Sequence, residues 1–173
     1  MHQLPLPIAP RTCWESIILP ALDALPPGMD SRAAQCLLLA IALQESGLEH
    51  RHQINGPARG LWQFERGGGV AGVLRHLSTS THARLLCLSR GVMPVSQAVY
   101  DRLSLDDILA AGFARLLLWT DPAPIPGDEA GAWAMYVRTW RPGAILGDPD
   151  SQRAKHHAKR WPKCWQVAVS VVP

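Results

Sequence analysis

Ser31 to Gly47 constrains this chain more than any other stretch. Ala, Leu and Gln fill it, all good helix formers. Asp30 or Ser31 is placed to cap its start, and Gly47 stands where a left-handed cap ends a helix. The segment therefore predicts a helix over 32–46. Its apolar run, Cys36 to Leu43, is far too short to span a bilayer, so the helix must be covered by other protein elements.

Those elements read as helices as well. Residues 1–13 are Pro-rich and predict an extended arm, with a helix over 14–25 that Pro20 interrupts and Pro26-Pro27-Gly28 stops. From His50 to Gly60 the residues turn polar, and any small hairpin belongs in this loop. Gly67-Gly68-Gly69 reads as a break before a helix over 70–77, and helices over 80–89 and 95–103 follow. Ser104 and Asp107 form a capping box opening a helix that ends near Trp119. A helix over 127–141 is closed by Pro142-Gly143. The last helix, 150–161, precedes a strand-like apolar tail over 167–172. No repeat or linker divides the chain, so the expected architecture is one mainly α domain over 14–173, ending in a basic segment, 151–173.

Composition agrees with a packed domain. The 173 residues are 47% hydrophobic and 18% charged, which excludes a disordered or fibrous chain. The net charge of +3 is uneven: Arg153, Lys155, Lys159, Arg160 and Lys163 lie in the last 23 residues without an acid, leaving twelve basic against fourteen acidic residues elsewhere. Such a tail suits an anionic polymer or a solvated helix face. Cys13, Cys36, Cys87 and Cys164 are scattered without a C-x-x-C, so free thiols are expected and a zinc or redox motif is not. The amino terminus lacks the charged and apolar regions of a signal peptide, which implies synthesis in the cytoplasm. Seven Trp against two Tyr and two Phe suit either core packing or stacking on sugars.

One acid is out of place. Glu45 continues the stripe of Ala34, Leu38 and Ile41, so its carboxyl points toward the apolar side of the helix, in the last turn where the dipole disfavours negative charge. Both effects favour the neutral acid near pH 7, the form a general acid needs when the leaving group is a sugar oxygen. The plainer reading has Glu45 reaching solvent or pairing with Arg51 or Arg59.

After Glu45-Ser46 comes Gly56-Pro-Ala-Arg-Gly60-Leu61-Trp62-Gln63. Here the chain resembles the lytic transglycosylase branch of the lysozyme-like superfamily, in which a Glu-Ser ends a helix and a Gly-Leu-Met-Gln turn follows. Trp62 replaces the Met. Ala134-Met-Tyr136 matches part of that family's downstream Ala-x-Tyr-Asn motif, with Val137 in place of the Asn, and looks like the version in phage-encoded members. The resemblance covers about 33–143. It implies a lysozyme-like domain in which Glu45 is the catalytic acid and base. Ser46, Gly60, Leu61, Trp62, Gln63 and Tyr136 bind substrate, with Trp62 as a stacking wall, and no metal or cofactor is needed. The family's loop Ser is missing, and Gln53 or Asn55 stands as the substitute donor. Glu65 is a possible second carboxylate, as a hydrolase would use; the alternative is a helix cap or a partner for Arg66.

The implied substrate is the peptidoglycan glycan strand, cut between N-acetylmuramic acid and N-acetylglucosamine by a phage or prophage enzyme of lysis or wall entry. It would reach the periplasmic wall through a holin or on the virion, with other virion or tail proteins as partners. Rival readings are a hydrolytic muramidase using the same site, and a virion structural protein keeping the fold with a degenerate site. A DNA-binding role rests on tail charge alone. His50 and His52 lack a third ligand, His156 and His157 point to different sides of their helix, and Gly67–Gly69 has no nucleotide-binding pattern.

Overall fold

The computed structural model describes residues 3–140, 147–148 and 150–173, and those residues are mainly helical. The first rod comprises α1 (Pro10–Cys13), a π turn (Trp14–Ile18) and α2 (Leu19–Asp23). Pro20 sits in the first turn of α2, and the Leu19 N–H reaches back five residues to the Trp14 carbonyl. A wider turn just before a proline relieves the clash its ring makes with the carbonyl four residues earlier. At the amino-terminal end residues 3–9 are non-helical and Pro10 begins the helix, so the helix starts inside the arm expected over 1–13.

The constraining segment forms α3 (Arg32–Ser46), with the bounds its capping residues imply. The Ser31 side chain accepts from the Ala34 N–H, and Gly47, at φ 64°, donates its N–H to the Leu43 carbonyl. After a loop come a π turn (Arg66–Val70), α4 (Ala71–Arg75), α5 (Ser80–Ser89), α6 (Ser96–Arg102), α7 (Asp107–Trp119), α8 (Glu129–Trp140) and α9 (Gln152–Val171). The glycine triplet is thus part of a helical π turn rather than a break. The cap of α7 is Asp106, which accepts from the Leu109 N–H, while the Ser104 hydroxyl turns back to the Asp101 carbonyl. The box read from sequence is therefore shifted by two residues. Pro142-Gly143 lies outside the described residues.

The largest departure is at the end. The tail expected as a strand continues α9, straight through Pro162. Trp161, Cys164, Trp165 and Ala168 recur at helical spacing and are buried where α9 packs along α3 and against α8, with Trp161 stacked on Tyr136. Burying two Trp outweighs the roughly 3 kcal/mol a helix-interior Pro costs. One apolar cluster reaches from Ile8 to Val172, and α3 has become a central rod clasped by α7, the first rod and α9. All four cysteines are free and buried, and burial lifts the Cys87 thiol to about 11. No described helix is long and apolar enough to cross a membrane.

Candidate active site

The C-terminal turn of α3 brings Glu45 against α8 and α9. Its Oε1 accepts from the Tyr136 hydroxyl at 2.5 Å, and that hydroxyl is also 2.7 Å from His157 Nε2. Tyr136 is wholly buried, stacked on Trp161 (5.1 Å between centroids, 11°) and on His157 (6.0 Å, 18°). Trp133 and Trp140, one turn to either side on α8, also touch its ring. Aromatic and imidazole rings thus fix this phenol from several sides. The half-buried Glu45 carboxyl is raised from an ordinary 4.5 to about 7, chiefly by burial, against smaller opposing effects of the Tyr136 hydrogen bond and the Arg160 charge. Tyr136 is itself pushed well above its usual range, first by burial and then by the adjacent carboxyl.

Neither cation in the plainer reading of Glu45 reaches it. Arg51 is buried in a bidentate pair with Asp107, at 2.8 and 2.6 Å, and also donates to the Leu4 carbonyl. Arg59 lies over the Tyr100 ring. The acid is left with a phenol as its hydrogen-bond donor, and Arg160 influences it from a place where its guanidinium donates to the Leu43 carbonyl.

The loop after α3 folds as a tight knot held by isolated antiparallel bridges, His52 to Arg59 and Arg59 to Phe64, in the position expected for a hairpin. Gly60, at φ 75°, lies so close to Leu103 that an added Cβ would stand 2.8 Å from its carbonyl oxygen, so the turn requires glycine there. Gln63 also adopts a positive φ and folds its amide back onto the Gly60 carbonyl at 2.8 Å.

Several residues expected to touch substrate do not face outward. Trp62 is fully buried and donates its indole N–H to the Leu38 carbonyl at 2.9 Å. It cannot be a stacking wall; its bulk fills space beside α3. Leu61 is likewise in the core. Ser46 is buried, donating to Ala42 O and accepting from Leu48 N–H, which locks the helix end rather than a ligand. The Trp62 carbonyl accepts from Trp140 Nε1 at 3.1 Å, so the turn reaches Tyr136 through a packed ring. Of the expected set, Glu45 and Tyr136 are joined directly, and Gly60 and Gln63 shape the turn.

Glu65 is exposed at the start of the Arg66–Val70 turn without a capping bond, and Arg66 pairs with Gln97 instead. Both of its expected structural roles are corrected, and it stands apart from the hydrogen-bond chain of Glu45. Gln53 bonds its own loop, its Oε1 accepting from Ala58 N–H, while Asn55 is exposed at a positive φ. Trp161 and Trp165 pack as expected, Trp14 is half-buried, and Trp119 keeps 39% exposure beneath the Arg115 guanidinium.

The sequence reading missed His157, Gln44 and the role of Trp161. Gln44 is buried and donates to the His157 carbonyl at 2.8 Å, anchoring α9 beside the acid. The available signal was the stripe of His157, Trp161, Cys164 and Ala168 at helical spacing, obscured by Pro162. A separate groove of about 490 Å³ is lined by Leu43 and Gly47 and by His156, Lys159, Arg160 and Lys163 of α9; Glu45, Tyr136 and His157 do not line it. Among the described residues no three His, Cys, Asp or Glu side chains converge as metal ligands. The chain matches no protein-family model, no curated protein and no solved structure.

Proposed function

We propose that this protein is a peptidoglycan lytic transglycosylase with a lysozyme-like domain and Glu45 as its single acid and base. The observation that carries the reading is a half-buried carboxyl, raised to about 7, with Tyr136 as its hydrogen-bond donor beside the Gly60–Gln63 turn. An acid poised near neutral pH donates its proton readily and takes one back as readily.

In this reading the Glu45 proton passes to the bridging oxygen as the bond from C1 of N-acetylmuramic acid breaks. The sugar's acetamido oxygen supports C1 while positive charge develops. The C6 hydroxyl oxygen then closes on C1, and its proton goes to the Glu45 carboxylate, leaving a 1,6-anhydro end and a recharged acid. Tyr136 donates to the carboxylate between the two steps. The basic groove offers cations to the carboxylates that wall glycans carry. A phage or prophage enzyme of lysis or entry, acting at the periplasmic wall, is the setting the motif resemblance favours.

Digestion of isolated peptidoglycan followed by mass spectrometry tests the proposal. Anhydro-muramyl ends that disappear in Glu45→Gln are expected, with a loss of activity of about a hundredfold to ten-thousandfold. Reducing ends would reassign the enzyme as a muramidase. Absence of release by the wild-type chain would sink the enzyme reading.

A further inference from the structure

The Tyr136 hydroxyl has one proton and two close polar neighbours, Glu45 Oε1 at 2.5 Å and His157 Nε2 at 2.7 Å. A phenol donates once, so the chain of three groups has two senses. In one, His157 Nε2–H donates to the phenol oxygen and the phenol donates to the Glu45 carboxylate. In the other, the Glu45 carboxyl proton points to the phenol oxygen and the phenol proton points to the bare His157 Nε2. The two senses differ by one proton moved along the chain: His157 gives its Nε2 proton to the phenol oxygen as the phenol proton passes to Glu45. With Nδ1 protonated throughout, an ion pair becomes three neutral groups, and no charge enters or leaves the site.

We infer that His157 is a positioning residue that governs the protonation of Glu45 through Tyr136, a proton store set behind the acid. This rests on Glu45 being the general acid proposed above. The imidazole is firmly held, since Gln44 anchors its backbone carbonyl and its ring lies nearly parallel to Tyr136 and close to Trp133. Among the described residues, the titratable groups that act on the hydrogen-bonded pair of Glu45 from α3 and Tyr136 from α8 include Arg160 and Cys164 from α9, both of which act on Tyr136. Arg160 favours the charged sense of the chain and burial favours the neutral one. His157 bears on the choice between them, because its Nε2 is the second polar group within hydrogen-bond reach of the phenol and competes with Glu45 for the phenol proton.

A structural role for His157, as one more ring in the stack, predicts a different result. His157→Phe keeps a ring in the stack and removes both nitrogens. The phenol then has Glu45 alone to donate to, which favours the carboxylate. The Glu45 carboxyl, followed by carbon NMR in the full chain, should then deprotonate about one pH unit lower than in the wild type. The alkaline limb of the pH profile for peptidoglycan cleavage should move down with it, with kcat falling and KM little changed. His157→Gln, which can accept from the phenol through its amide oxygen, should return the Glu45 midpoint toward the wild-type value. In the wild-type chain the Glu45 and His157 signals should share titration steps.

A Glu45 midpoint in folded His157→Phe that coincides with the wild-type value would overturn the inference, as would independent titration of the two groups. The NMR arm needs no substrate, so it judges the relay even for a chain that leaves the wall intact. That result would count against the transglycosylase reading alone.

Discussion

Two carboxyl groups in this molecule, Asp107 buried and Glu45 half-buried, have opposite surroundings. Asp107, at the start of α7, receives a bidentate guanidinium from Arg51, and Arg51 also ties down Leu4 of the amino-terminal segment. Glu45, at the end of α3, receives one phenol hydrogen bond and lies in a helix turn whose carbonyls repel negative charge. The first arrangement fastens two distant segments, with each charge answered by the other. The second leaves a carboxyl that gains by being neutral. Burial alone does not set the state of an acid: one with a matched cation stays charged and acts as a clamp, and one without it is shifted toward its neutral form.

Removing the clamp should have the largest effect. Asp107→Ala leaves Arg51 buried and uncompensated, and chemical denaturation should show a loss of about 3–5 kcal/mol. A loss below about 1 kcal/mol would mean the pair is no more than a surface ion pair, and the contrast with Glu45 would collapse.

Glu45→Gln should act in the opposite direction. The folded carboxyl is raised from 4.5 to about 7, so its contribution to stability is present in full below pH 4.5 and is lost as pH rises to about 7. Relative to wild type, the variant should be about 2 kcal/mol more stable at pH 8, allowing for the partial exposure of Glu45, and of equal stability near pH 4. Unfolding curves at both pH values, with the gain appearing across that window, would mark Glu45 as a strained functional acid. A variant less stable at pH 8 would place it among the clamps.

The smallest effect concerns the phenol. Tyr136→Phe keeps the stacking face and removes the donor that holds the Glu45 carboxyl down, so the midpoint should rise above about 7, by up to about one pH unit. This is opposite to the direction expected for His157→Phe. Carbon NMR on the pair of variants would then show the hydroxyl working both ways, and movement in the same direction would argue for a general packing effect.

Much of the fold is legible along the chain, because it depends on neighbours a few residues apart. Ser31 and Gly47 bound α3 through hydrogen bonds within their own turns, and the apolar spacing that turns Glu45 inward is a property of the same helix. Where short-range signals compete with burial they mislead. The β-branched tail after Pro162 reads as a strand in isolation, yet Trp161, Trp165 and Ala168 gain more by packing along α3 as a helix. The Gly60–Gln63 turn could be located from its residues, but Trp62 could not be assigned to core or surface, since a Trp suits either.

The sequence by itself determined the mainly helical class, the limits of α3 and the presence of one misplaced acid, all consequences of helix geometry and caps. Tertiary structure alone decided what that acid meets. Arg51 goes to Asp107, 56 residues away, and Tyr136 reaches Glu45 from 91 residues away, with His157 on the far side of the same hydroxyl. The protonation of a buried carboxyl is set by the groups within a few ångströms, and in this chain those groups come from the far side of the fold.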